Sequence, residues 1–334
     1  MEPITHALSS VVLARAGLNR ATRLAIPMML VAGLAADLDW LSSLGGASAF
    51  LSGHRTATHS LFGAAAIAVF VAAGFWALGR IYPRFSVRFI PAALVCAMAS
   101  GVHLLLDLTN SYGVKLFWPF REKWFAGDLV DEVDPWLLAI LAGGLLLPAL
   151  FHLIGEEIGS AKKRRKGLRG AVIALVLLAL FIGGRWTLHD RAVELLRSRL
   201  YRGETPLLVA AFPQPMSPFA WSGVVETDAA LHQVDLSVVL NPSFDPDSGR
   251  TLYKPEPSAV LESARKSRAA TMFLQFARFP KATVEPTLDG FRVQLRDLRF
   301  ANSGVGHREV SAVVDLNKQA QVIHEELAFE TRSR

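Results

Sequence analysis

Cysteine is nearly absent. The 334-residue chain has one, Cys96, inside an apolar run. A disulfide framework or a thiolate zinc site within one chain is therefore excluded. Charge is also sparse, at 19% of residues, and unevenly spread. The N-terminus MEPITHALSS lacks a basic segment, so no cleavable signal peptide is expected. No internal repeat or low-complexity stretch is evident. The net charge of +6 would suit nucleic acid if the cations formed one face. They fall instead in short loops between apolar runs, which is a membrane-orientation pattern and argues against a nucleic-acid partner.

The long apolar runs lie almost entirely in residues 1–189. Runs at 24–41, 60–79, 89–106, 136–154 and 170–184 each approach the roughly 20 residues that cross hydrocarbon. The last can extend through Arg185 to Leu188 with the arginine snorkelling. A sixth run, 4–18, carries Arg15 and either spans or is partly re-entrant. Small residues such as Gly63, Ala64, Ala72 and Gly74 favour close helix packing. Residues 190–334 read as an ordinary soluble domain. Alternating, β-branched segments such as LLVAAF, FAWSGVVET, HQVDLSVVL, FRVQLRDLRF, REVSAVVDL and QVIHEELAF predict strands. One helix is expected at 257–277, and FPQPMSPFAW, 212–221, reads as a proline-rich connector into this domain. The expected fold is an α-helical integral membrane bundle of five to six helices, residues 1–189, followed by a soluble α+β, β-rich domain, 190–334.

Arg15, Arg20 and Arg23, then Arg80, Arg84 and Arg88, then KKRRKGLR at 162–169 occupy alternate loops. Loops 42–58 and 107–135 hold only Arg55, Lys115, Arg121 and Lys123. With alternating crossings the basic loops share one side, expected to be cytoplasmic, and KKRRK also suits contact with a lipid surface. The N-terminus and the domain after 189 are then extracytoplasmic.

Ionisable groups inside spans are costly and suggest a site. Here His6 begins the first run, Asp37 and Asp39 end the second, and His54 and His59 precede the third. His103 and Asp107 end the fourth, four residues apart on one helix face. All fall at one end of the expected bundle, opposite the basic loops. Imidazole and carboxylate without thiolate suit zinc first, with manganese or iron as alternatives. The candidate ligands are His6, Asp37, Asp39, His54, His59, His103 and Asp107, enough for one ion or two. Asp39 is a candidate general base as well. Arg55 could neutralise an anionic substrate oxygen, and Ser60 reads as a helix-start or supporting residue. Asp128, Asp131 and Asp134 read as a solvated loop. His152 and His189 lie away from the cluster, and His232, His307 and His324 sit in the β-rich tail; all five read as ordinary structural or surface imidazoles.

The motifs THAL (5–8), AADLDW (35–40), GHRTATHSLFG (53–63) and GVHLLLDLTNSYGVKLFWPF (101–120) together resemble the bacterial membrane-bound metal-dependent hydrolases of the YdjM type. The resemblance covers about residues 1–155, and QPMSPFAW at 214–221 is similar to the connector of longer members. It departs at Ala36, where the acidic motif usually has proline, and at Thr56 and Ala57, which replace a glycine-bearing pair. A more remote similarity is to zinc-dependent phospholipases C. The resemblance implies metal ligation by the matching His and Asp residues, hydrolase activity, and a multi-pass location in the bacterial cytoplasmic membrane. A lipid or lipid-linked ester or phosphodiester is the expected substrate. Two other classes fit the residues: an ion-handling transporter, and a non-catalytic membrane anchor with a structural metal.

Overall fold

The computed structural model describes residues 1–157, 167–239, 244–300 and 308–331. The KKRRK run at 162–166 and His307 lie outside them. The chain divides into two compact units. One comprises Met1–Asp39, Arg55–Thr187 and Pro215–Pro218; the other comprises Trp40–His54, Leu188–Gln214 and Phe219–Arg334.

The first unit is helical. Helix α1 (Pro3–Arg15) starts where proline at its first position needs no N–H partner and Glu2 accepts from the Thr5 N–H at 2.8 Å. Helix α2 (Ala25–Leu34) gives way to a 3-10 stretch, Ala36–Gly45, of which Ala36–Asp39 belong to this unit; α3 (Gly46–Gly53) belongs to the second. Helix α4 (Leu61–Ile81) is capped by Ser60, whose hydroxyl accepts from the Gly63 N–H at 2.9 Å. Helix α5 (Phe89–Thr109) follows. Asp134 starts α6 (Pro135–Glu157) by accepting from the N–H groups of Trp136 and Leu137. Helix α7 (Leu168–Arg197) is the longest.

Among the described residues, four stretches are long and apolar enough to cross a membrane: Ala25–Gly53, Leu61–Ile81, Phe89–Thr109 and Leu168–Arg197. Pro135–Phe151 is a shorter apolar helix. The bundle core is made of small and flexible residues: Ala14 of α1, Met28, Met29 and Ala32 of α2, Ala68 and Ala72 of α4, and Val95, Cys96 and Ala99 of α5. Lipid offers helices no hydrophobic gain on association, so close backbone contact must hold them. Gly33 supplies one such contact, since a Cβ there would sit 2.2 Å from Ser10 Oγ of α1.

Three expectations for this half change. The 24–41 run is not one helix, because Asp37 and Asp39 lie in the 3-10 stretch. Short carboxylates bind nearby backbone and favour turns over helix interiors. The 4–18 run forms a helix of 13 residues, too short to cross about 30 Å of hydrocarbon by itself. Arg185 does not snorkel. It is buried and donates to the carbonyls of Leu129, at 2.7 Å, and Pro218.

In the second unit, the end of α7 contributes Ala192 and Leu196 to a core with Tyr201, Ala211, Trp221, Val225 and Val234. Strands β1 (Leu208–Pro213), β2 (Ala220–Glu226), β3 (Ala230–Ser237) and β4 (Arg250–Tyr253) form an antiparallel sheet in that order. Helices α8 (Ala259–Lys266) and α9 (Arg268–Phe276) follow. A second antiparallel sheet is built from β5 (Pro280–Pro286), β6 (Gly290–Asp297), β7 (Arg308–Asn317) and β8 (Val322–Thr331). Phe273 of α9 packs on Val293, Leu295 and Val314 of that sheet.

The 257–277 helix is broken at Ser267, whose hydroxyl caps α9 on the Ala270 N–H. Residues 212–221 are not a connector into the domain; they span the β1–β2 hairpin, with Pro213 paired to Trp221 at its mouth. Proline is tolerated there because β1 is an edge strand.

Candidate metal centre

Four donors meet in the first unit. One ligand atom from each of His6, Asp37, His103 and Asp107 lies within 4.8 Å of the others. His6 stands in the first turns of α1, and Asp37 follows the end of α2. His103 and Asp107 occupy the last two turns of α5. His59, just before α4, joins them: its Nε2 is 3.0 Å from Asp107 Oδ2, 3.1 Å from His103 Nε2 and 3.8 Å from Asp37 Oδ1. Four helix ends therefore deliver five donors to one place. His6, His59 and Asp107 have fully buried side chains, and Asp37 is the most open at 20%.

The ring orientations are fixed from behind. His103 Nδ1 lies 2.7 Å from the Gly33 carbonyl, which can only accept, so Nδ1 carries the hydrogen and Nε2 faces inward as a lone pair. His59 Nδ1 lies 2.9 Å from Asp39 Oδ2, which assigns its hydrogen in the same way. Two lone pairs facing at 3.1 Å repel each other, and a proton between the rings or a metal ion relieves that. The His59 pKa is raised accordingly; burial opposes the charge, and hydrogen bonds to Asp107 and Asp39 outweigh it. His6 stacks on His103 at 3.8 Å, and neither of its buried ring nitrogens makes a hydrogen bond among the described residues. Orphaned imidazole nitrogens beside two carboxylates are what a divalent ion would satisfy, and the donor set fits zinc, manganese or iron.

Asp39 sits behind His59. Its Oδ2 also accepts from the Arg55 N–H at 2.8 Å and the Thr58 hydroxyl at 2.7 Å. This carboxylate–imidazole pairing orients and strengthens a ligand ring. Arg55 is held at φ +54°, in the left-handed region, and its guanidinium is buried. It donates to Asn110 Oδ1 at 3.0 Å, approaches Asp107 Oδ1 at 3.4 Å and lies over the Tyr112 ring. Burial opposes its charge, and the carboxylates of Asp107 and Glu132 more than offset that, so its pKa is raised. The Met1 amino group also donates to Asp107 Oδ1.

Of the seven candidate ligands, the structure brings His6, Asp37, His59, His103 and Asp107 together. Asp39 stands one layer back. His54 is not in the group; its ring stacks on Phe50 at 4.5 Å. Ser60 is the cap of α4. Sequence reasoning missed Thr58, the Gly33 carbonyl, Tyr112 and Asn110, which accepts from Arg55 and the Tyr112 and Gly113 N–H groups. Asn110 lies three residues past Asp107, so its place after a ligand was its one visible signal.

Residues 259–332 match the YfhP C-terminal alpha/beta plait domain. Uncharacterized protein YfhP of Bacillus subtilis (strain 168) is 23% identical over 297 residues, covering 86% of this chain and 80% of that protein. No solved structure matches. Residues 1–192 match the YdjM inner membrane protein family, and with that match covering more than half its length the chain belongs to that family.

Proposed function

We propose that the chain is a metal-dependent hydrolase of the bacterial cytoplasmic membrane, acting on an ester or phosphodiester of a lipid or lipid-linked substrate at the extracytoplasmic face. The observation that carries this is the convergence of His6, Asp37, His59, His103 and Asp107 at helix ends, which in a membrane-spanning bundle would lie toward the headgroup layer. A divalent ion held there, zinc first, would polarise the scissile group and activate water. Contacts shared through Asp107 and Asp37 support one ion rather than two. Asp39 holds the His59 ring, and Arg55 steadies Asp107 while offering positive charge to a substrate oxygen.

Sidedness draws on the basic loops. Arg23 donates to the Arg84 carbonyl at 3.0 Å, so two of them meet at one end. Placing that end in the cytoplasm puts the donor cluster outside. Donors gathered at helix ends also support surface chemistry over transport, where sites lie near the midplane. A second reading, a metal that only braces the helices, draws on the near-complete burial of four of the five donors.

Metal analysis of the purified protein, followed by lipid hydrolysis assays of His59→Ala and Asp107→Ala, tests the proposal. Bound metal with loss of hydrolysis in both variants is expected. Absence of metal, or full activity in both, overturns it. Bound metal without hydrolysis of any lipid class selects the bracing reading.

A further inference from the structure

The loop after α5 is built unlike a soluble loop. Val114 and Phe125 exchange both backbone hydrogen bonds at 2.9 Å, closing its base. Lys115 donates to the Arg55 carbonyl at 3.2 Å, and Leu61 donates to the Leu116 carbonyl at 3.0 Å, so the base is tied to both sides of the His59 segment. Internal turns bring the Trp118 N–H to Lys115, and the Phe120 and Arg121 N–H groups to Phe117. The loop is thus ordered, yet Phe120 is 85% exposed and Phe117 is 40% exposed. Beside them stand Lys115, Arg121 and Lys123 against one carboxylate, Glu122. Lys115 lies 3.9 Å from Glu122 and Lys123 stands over the Phe125 ring at 5.6 Å, which leaves Arg121 and Lys123 without an acidic partner among the described residues.

An exposed phenylalanine on a rigid loop costs free energy in water and gains it in the headgroup layer. Cations at that depth are attracted to anionic lipid, roughly fivefold in partitioning for each. The loop's base sits where α4 begins and α5 ends, at the boundary of the bundle. We propose that Lys115–Phe125 is a membrane-interface anchor that embeds Phe117 and Phe120 among lipid headgroups and selects anionic phospholipid through Arg121 and Lys123. This goes beyond the hydrolase reading, since it rests on the loop alone and names the headgroup charge gathered beside Arg55 and His59.

The test places a single cysteine on the loop, Phe120→Cys in a Cys96→Ala background, and labels it with an environment-sensitive dye. The full chain is reconstituted in nanodiscs of phosphatidylcholine alone or mixed with phosphatidylglycerol. Metal content and melting temperature matched to the unlabelled protein establish that the variants fold. The expected result is a blue-shifted emission, quenched by lipids brominated high in the acyl chain and larger with phosphatidylglycerol. Arg121→Gln with Lys123→Gln, or high salt, should abolish the difference between lipids. Emission of a water-exposed dye, quenched equally by iodide in both discs, overturns the anchor. Equal burial in both discs overturns the anionic preference. No hydrolysis is read, so this proposal and the hydrolase reading fail separately.

Discussion

His59 Nε2 and His103 Nε2 lie 3.1 Å apart, while the Nδ1 of each is already committed, to Asp39 and to the Gly33 carbonyl. Two imidazoles so placed direct lone pairs at the same point, together with Asp107 Oδ2. If a metal holds them, it ties α5 to the segment before α4, and binding becomes folding free energy. Purified protein should carry about one divalent ion per chain, and chelation should lower its melting temperature. At a hundredfold excess of ion over Kd the stabilisation is about 2.7 kcal/mol. Identical melting curves with and without chelator would sink the assignment.

Asp39 is predicted to tune the ion rather than hold it. Asp39→Asn removes the charge behind His59 and keeps an oxygen for the Arg55 N–H and the Thr58 hydroxyl. Metal affinity should fall about 10- to 100-fold, as it does when a ligand's supporting carboxylate is lost. His103→Ala should lose the ion altogether. Competition titration against a chromophoric chelator separates these outcomes. Equal affinity in Asp39→Asn and the unaltered protein would contradict the role.

Two glycines should answer differently to one added methyl. At Gly63 a Cβ would lie 1.9 Å from the Ala57 carbonyl oxygen and 3.0 Å from Thr58 Cα, both backbone. At Gly33 the nearest atom, 2.2 Å away, is Ser10 Oγ, the movable end of a side chain. Gly63→Ala should cost more than about 2 kcal/mol and displace His59, taking metal with it; Gly33→Ala should cost less than about 1. Melting temperature and metal content in detergent measure both. An unperturbed Gly63→Ala would show that the loop can shift without disturbing the site.

Much of this architecture is legible in the sequence, and the exceptions have causes. Runs of apolar residues mark α4, α5, α6 and the start of α7 within a few positions, because length and hydropathy are what a membrane selects. Five ligand candidates that meet are readable as polar residues at run ends. What pattern does not carry is competition for a side chain. Asp39 is as close to the cluster in sequence as Asp37, yet three donors from 55–59 claim its Oδ2. His54 is five residues from His59, but Phe50, one turn back on α3, takes its ring. The end of α7 was hidden because its charged last turns, His189–Arg197, leave the apolar run while the helix continues. Strands β4, four residues long, and β5, bounded by prolines, offer too little alternation to be seen.

Glu309 of β7 faces Glu330 of β8 in register. Glu330 is engaged by the Ser311 hydroxyl at 2.7 Å and by Arg296. Burial pushes the Glu309 carboxyl up from 4.5 to about 7; Arg296 lowers it, and the charges of Glu330 and Asp297 add to the rise. A raised carboxyl pKa means the folded state holds the proton more tightly than the unfolded chain. Its contribution is full below pH about 4.5 and is lost as pH rises through about 7. Glu309→Gln keeps the neutral form at every pH. It should therefore be near neutral at pH 4 and stabilising at pH 8, so the difference in melting temperature between variant and parent grows across that window. Every other titratable group is common to both proteins and cancels in the difference. A Glu309→Gln variant destabilised equally at pH 4 and pH 8 would mean that the carboxylate, not the acid, is the form this sheet prefers.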